Sequence, residues 1–200
     1  MTHPSPTSSP APFTAQARQL QVQAVTDDPA GELAQMATRV TRLAELGIPL
    51  RGSEILDDLA SEMAARSGFV YAMVNAFSDQ QTFLGLHNPP PEAGYPIVGR
   101  TMSRAHGWCP EVIQRRRGLP LPDVAAAPRF HSNPVVDAIG IQSYFGTPLL
   151  DPASGLALLT VCIVDPEPRT LADATRLQTI VRDTAHTAAG LLNLPTPPAA

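Results

Sequence analysis

Three clusters of side chains between positions 108 and 145 have the types that a small-molecule or thiol site uses: Trp108-Cys109-Pro110, the stretch 123–133, and Ser143-Tyr144-Phe145. Pro110 suits the first position of a helix, which makes Cys109 the expected N-cap. A thiol there faces free backbone N–H groups and the positive end of the helix dipole, and both favour the thiolate. Glu111 opposes the effect. Cys109 therefore has two readings, a redox-sensitive or ligand-touching thiol and a plain cap packed against the core. Cys162 lies in the apolar run LALLTVCIV and is expected to be a buried, inert thiol. Asp123, Arg129, Phe130 and Tyr144 could supply contacts to a ligand in an otherwise apolar pocket. For Asp123 and Arg129 the alternative is that they tie down their own loop. Trp108 reads equally as a pocket lid or a core anchor.

Other chemistries have weaker support. Two cysteines without a paired C-x-x-C argue against structural zinc, although His106 and Cys109 form an H-x-x-C. His87, His106 or His131 could ligate a haem, and nothing singles out one of them. No Ser-His-Asp order, Gly-rich phosphate loop or close carboxylate pair stands out. Asp57 and Asp58 are adjacent on a helix and so point apart.

The elements that must position these residues follow from periodicity and punctuation. Of the 22 prolines, many sit in 2–12, 88–96 and 195–198, giving a tail, a loop and a tail. Residues 1–27 read as a disordered Pro/Ser-rich segment with helical turns near 15–25, and 194–200 as a second tail. Between them, 28–193 form one domain. Asp28 caps a helix that starts with Pro29, and Leu33, Met36, Val40, Leu43 and Leu46 make an a/d seam about two heptads long. That seam suits packing on its own domain or a helix-mediated homodimer. A second helix spans 54–67 behind Ser53, with Leu56, Leu59 and Met63 on one face and Gly68 as its stop. Strands are expected at 69–77 and 81–87 as a hairpin, at 119–124, and at 141–149 and 156–164. A helix runs from Pro110 to 117 behind Cys109, with Arg115, Arg116 and Arg117 as a solvated last turn and Gly118 as its stop. Asn133 caps a small helix over 134–138, and Thr170 with Asp173 forms a capping box that opens a last helix over 171–193.

Hairpin strands with helices at the ends and middle imply an α+β domain: an antiparallel sheet, terminal helices on one face, and a helix/loop cover over a pocket on the other. With 44% hydrophobic and 16% charged residues the chain is too apolar to be disordered, and a net charge of -4 leaves no nucleic-acid footprint. No apolar run is long enough to span a membrane and no secretory leader is recognisable, so a cytoplasmic location is expected.

The stretch also resembles a GAF domain, on Cys109, Asp123, Pro128-Arg129-Phe130, Asn133-Pro134-Val135-Val136, Gly140-Ile141-Gln142-Ser143-Tyr144, Gly146-Thr147-Pro148-Leu149, Gly155, Cys162-Ile163-Val164-Asp165 and Pro168-Arg169. The order and spacing of these pieces carry the resemblance, which covers about 28–193. It implies a sensory or regulatory small-molecule-binding domain in signal transduction, dimeric through its terminal helices and addressing a separate signalling protein. No kinase, cyclase, phosphodiesterase or DNA-binding segment accompanies it. The alternative is a thiol-dependent enzyme of the free methionine sulfoxide reductase type using Cys109, in which a mid-strand Cys162 is a poor resolving thiol. A haem-based sensor is the other alternative. Two positions depart from the family pattern. Ala125-Ala126-Ala127 replace a segment that commonly holds an acid, and Leu159 replaces a Gly, so Leu159 is expected to fill pocket space.

Overall fold

The computed structural model describes residues 29–194. Residues from Met36 onward make one compact unit, and those before it make another, of which only 29–35 are described. The Asp28 cap, the whole 1–27 tail with its expected turns at 15–25, and all of the second tail after Leu194 lie outside the described residues. Helix α1 spans Pro29–Glu45. Along its seam Leu43 is buried, Met36, Val40 and Leu46 are half-buried, and Leu33 is 55% exposed. The most buried polar group on this helix is one the apolar pattern does not show: the Arg39 guanidinium is 6% exposed and donates from Nε to the Ala157 carbonyl at 2.7 Å. Burial, followed by the nearby charges of Arg104 and Arg116, lowers its pKa to about 10.

Helix α2 (Glu54–Ser67) has the bounds its periodicity predicts. Gly68 closes it in the left-handed region at φ 74, with its N–H bonded to Ala64 O. Ser53 holds the N-cap position, but its side chain makes no cap hydrogen bond; its backbone N–H donates to Leu84 O at 2.8 Å. Ala60 and Ala64 beside Leu56, Leu59 and Met63 let this helix lie close on the sheet. Gly85 completes the approach, because a Cβ there would collide with the Leu56 carbonyl.

The sheet has six antiparallel strands in the order β3-β2-β1-β6-β5-β4: β1 Tyr71–Phe77, β2 Gln80–His87, β3 Thr101–Ser103, β4 Leu119–Leu121, β5 Ser143–Leu150 and β6 Ala157–Asp165. The central strands β1 and β6 are buried at every position, which is why both read as continuous apolar runs rather than alternating ones. Edge strand β3 is only three residues long and was not expected from the sequence. Edge strand β4 tolerates Pro120 and ends earlier than expected; Val124 N still donates to Gln142 O at 2.8 Å, outside the ladder.

Helix α6 (Leu171–Leu191) starts at the expected cap, with Thr170 Oγ1 accepting from Asp173 N. Its Leu177, Val181, Ala185 and Ala188 are buried with α2 against one sheet face. The cover over the other face consists of α3 (Cys109–Arg115), α4 (Pro128–His131) and α5 (Pro134–Ile139). Helix α3 begins at Cys109 and not after it. Trp108 holds the N-cap position, so Cys109 is the first helical residue, and Arg116, at φ 53, ends the helix before Gly118.

The strand face each residue occupies follows from alternation. Ala72, Val74, Ala76, Phe145, Leu159, Val161 and Ile163 belong to the core under the helices. Tyr71, Met73, Phe77, Tyr144, Cys162 and Val164 belong to the core under the cover. Leu159 is therefore packed among helix residues. The expectation that it fills pocket space is wrong by one position of strand phase, since Thr160 is the neighbour that shares the Cys162 face.

Candidate functional site

The cover is held by a small number of specific bonds. Asn133 caps α5 by accepting from Val135 N at 3.3 Å. The same side chain pairs in both directions with Gly107: Oδ1 accepts from its N–H at 2.9 Å and Nδ2 donates to its carbonyl at 2.8 Å. This fixes the residue before Trp108. The indole then donates from Nε1 to Phe130 O at 3.0 Å, and its ring lies 5.4 Å from that of Tyr144. Trp108 is 2% exposed, so it closes the cover from inside.

Beneath Trp108 lies a buried polar cluster. Asn75 on β1 pairs in register with Thr160 on β6, and Met73 with Cys162. Asn75 Nδ2 donates to Gln81 Oε1 at 2.7 Å, while Gln81 Nε2 bonds Ser103 O and His106 O, each at 2.7 Å. Asn75 Oδ1 and Thr160 Oγ1 have no hydrogen-bond partner. An unpaired buried polar atom costs about 1–3 kcal/mol, so packing alone does not account for this arrangement.

Both thiols complete the cluster. The Cys109 sulfur is 3.5 Å from that of Cys162 and 3.3 Å from the Tyr144 hydroxyl, and Cys162 is 4.0 Å from Met73 Sδ. The Tyr144 ring runs back along its own strand over Gly146, where any Cβ would strike its hydroxyl. Hydrogen bonding with Cys162 lowers the Cys109 pKa, helped by the Tyr144 hydroxyl and opposed by burial. The same contact, with burial and the Cys109 charge, pushes Cys162 well up. Burial and the two sulfurs raise the Tyr144 phenol. Cys162 is buried as the sequence implies, but it is not isolated. The sequence alone gives no reason to place two thiols 53 positions apart in contact.

The remaining expected site residues lie elsewhere on the cover. Asp123 accepts from Ala125 N at 2.9 Å and Ala126 N at 3.3 Å, a turn that holds its own loop. Arg129 is half-exposed, pairs with Glu111 at 2.9 Å and stands over the Phe130 ring, which Arg115 also approaches. Phe130 reaches the cluster through its carbonyl, which binds Trp108. Trp108, Cys109 and Tyr144 thus come together, and Asn75, Gln81 and Thr160 join them. The last three lie in stretches that read only as apolar strand or turn.

His87 contacts Ser61 Oγ at 3.0 Å at the end of β2, and His131 is exposed on α4. Among the described residues no group of three His, Cys, Asp or Glu side chains could hold a metal ion.

The Asp165–Arg169 motif serves the frame. Asp165 accepts from Val70 N and Glu167 N at 2.9 Å each and pairs with Arg169 at 2.9 Å. The Arg169 guanidinium covers the Phe69 ring at 4.6 Å, and its backbone N–H donates to Pro122 O at 2.7 Å.

Comparison with known proteins gives one family. The model of the GAF domain matches residues 51–190. No curated protein matches the chain by sequence. Among solved structures, the phycocyanobilin-bound GAF domain of a cyanobacterial phytochrome is 15% identical, with a TM-score of 0.52 over 80% of this chain and 94% of that one. Residues 122 to 287 of a methyl-accepting chemotaxis protein are 18% identical, with a TM-score of 0.50 over 79% of this chain and 99% of that one. At these identities the likeness is one of fold.

Proposed function

Since the chain belongs to the GAF domain family, whose members are in general small-molecule-binding sensory domains, we propose that it takes its ligand between the sheet and the α3–α5 cover and acts in signal transduction. The observation that supports this reading most is the buried cluster under Trp108, where Asn75 Oδ1 and Thr160 Oγ1 lie unpaired among aromatic rings. Apolar walls with a few convergent polar atoms are the usual make-up of a small-molecule site. A ligand that hydrogen-bonds these atoms favours one arrangement of the cover over another and so shifts its population.

The reading includes a homodimer through the terminal helices. Leu33 on α1 and Leu171 and Leu191 on α6 are exposed and support that pairing. It also includes a separate signalling protein as the recipient and a cytoplasmic location. No described helix is long and apolar enough to cross a membrane.

Native mass spectrometry of protein purified from its own host tests the proposal. The expected result is a dimer carrying a retained small molecule that Asn75→Ala loses. A ligand-free monomer that binds nothing in a metabolite screen refutes it.

A further inference from the structure

We propose that Cys109 and Cys162 form a reversible dithiol–disulfide couple, closed by a small hydroperoxide, that fastens the cover helix α3 to the central strand β6. This goes beyond ligand binding and does not depend on it.

The only two cysteines of the chain come from elements far apart in sequence, and their sulfurs are in contact at 3.5 Å. Closing the bond requires an approach of about 1.5 Å. Cys109 sits at the first position of a short helix on the cover, just after Gly107 and Trp108, which Asn133 and Phe130 hold, whereas Cys162 lies on the central strand β6. Both sulfurs are buried, so the oxidant that reaches them must be small and uncharged. Tyr144 bonds the Cys109 sulfur and acts as a positioning residue.

The two thiols are unequal in the way such chemistry needs. Cys109 is the more acidic and Cys162 the less, which makes Cys109 the attacking sulfur. Its thiolate attacks one oxygen of the hydroperoxide. The O–O bond breaks, an alkoxide or hydroxide leaves, and Cys109 becomes a sulfenic acid. The Cys162 sulfur then attacks Cys109, the S–O bond breaks, and the departing oxygen leaves as water with the Cys162 proton. In sum, two thiols and one hydroperoxide give one disulfide, one alcohol or water, and one water. A thiol reductant reverses the change.

The test uses the full chain, reduced, desalted and treated with one equivalent of hydrogen peroxide, then denatured, alkylated and weighed intact. The expected product has no alkylatable thiol, is lighter by two hydrogens, stays a single chain without reductant, and regains both thiols with dithiothreitol. Two thiols still alkylatable, added oxygen without loss of hydrogen, or a cross-link between chains each overturn the proposal. In Cys162→Ser, dimedone is expected to trap Cys109 as the sulfenic acid, and Cys109→Ser is expected to leave Cys162 unreactive. If Cys162 oxidises as fast in that variant as in the parent, the assignment of the attacking sulfur is wrong. Tyr144→Phe is expected to move the pH midpoint of Cys109 modification upward, and an unmoved midpoint removes Tyr144 from the mechanism. Should a variant fail to fold, peptide mapping of the oxidised parent still decides the disulfide.

Discussion

One face of the sheet holds hydrocarbon and the other holds function-bearing groups, although the same strands supply both. Under α2 and α6, the strand residues are Val74, Ala76, Leu84, Phe145, Leu159, Val161 and Ile163, and Phe69 meets Phe145 edge-on at 5.9 Å between ring centroids. Under the cover, rings alternate with Asn75, Gln81, Thr160, Cys109, Cys162 and the Tyr144 hydroxyl, all nearly inaccessible to solvent. Burying a polar group without a partner costs free energy, so a face selected only to hold a cover would contain fewer of them. The contrast teaches that the helix face secures the fold and the cover face departs from best packing where its chemistry lies.

The largest effect that would sharpen this comparison comes from the helix face. Phe145→Ala should cost about 3–5 kcal/mol, and Leu159→Ala about 2–5 kcal/mol, in denaturant unfolding. Leu159→Ala should also leave the peroxide reactivity of Cys109 unchanged. A changed reactivity would mean that the two faces are not separate.

Asp165→Asn comes next, at about 3 kcal/mol, because it leaves Arg169 without its carboxylate at the point where both faces are tied together. Asn133→Ala should cost about 1 kcal/mol. Its signature is local: faster amide exchange in α5 and around Trp108, with α2 and α6 unaffected. Equal acceleration in all the helices would show that the cover does not open on its own.

Thr160→Val should change stability least, by about 1 kcal/mol or less and in the stabilising direction, since it removes an unpaired hydroxyl. A large loss of stability instead would show that the hydroxyl is needed for the fold.

The acid limb offers a check outside both faces. Asp151 is buried, and its pKa is lowered by Ser154, Arg42 and the Ala153 N–H, against burial. A carboxyl more acidic folded than unfolded adds stability above its unfolded pKa and loses it as the pH falls. Asp151→Asn should therefore flatten the acid side of a stability-versus-pH curve and leave the neutral side parallel.

Much of the frame was legible in the sequence because local signals agreed with burial. Glu54–Ser67 and the Asn133, Gly140 and Thr170 caps needed only periodicity and turn chemistry. Where the reading slipped, long-range partners decided. The first strand starts at Tyr71 and not at Phe69, as Val70 gives its N–H to the Asp165 carboxylate in place of the ladder. Strand β3 is three residues paired on one side to β2, and α4 is a single turn, so neither has a period to detect. Cys109 moved from cap to first turn because the Trp108 backbone, at φ -110 and ψ -3, already bends toward the helix.

Trp108, Cys109 and Tyr144 could be picked out by residue type. The contact between the cysteines could not, because it depends on the strand phase that sends Thr160 and Cys162 to one side and Leu159 to the other. Nothing local in LALLTVCIV sets that phase.

The Asn133 clip has a consequence for how the protein ages. Its amide both accepts and donates, so hydrolysis to aspartate would keep one bond to Gly107 and lose the other. Deamidation ordinarily begins when the backbone nitrogen of the next residue attacks the side-chain carbonyl. Here that residue is Pro134, whose nitrogen carries no hydrogen, and the ring that begins α5 also closes this route of decay. The fastening of the cover is thus chemically durable, whereas the thiol beneath it is built to change.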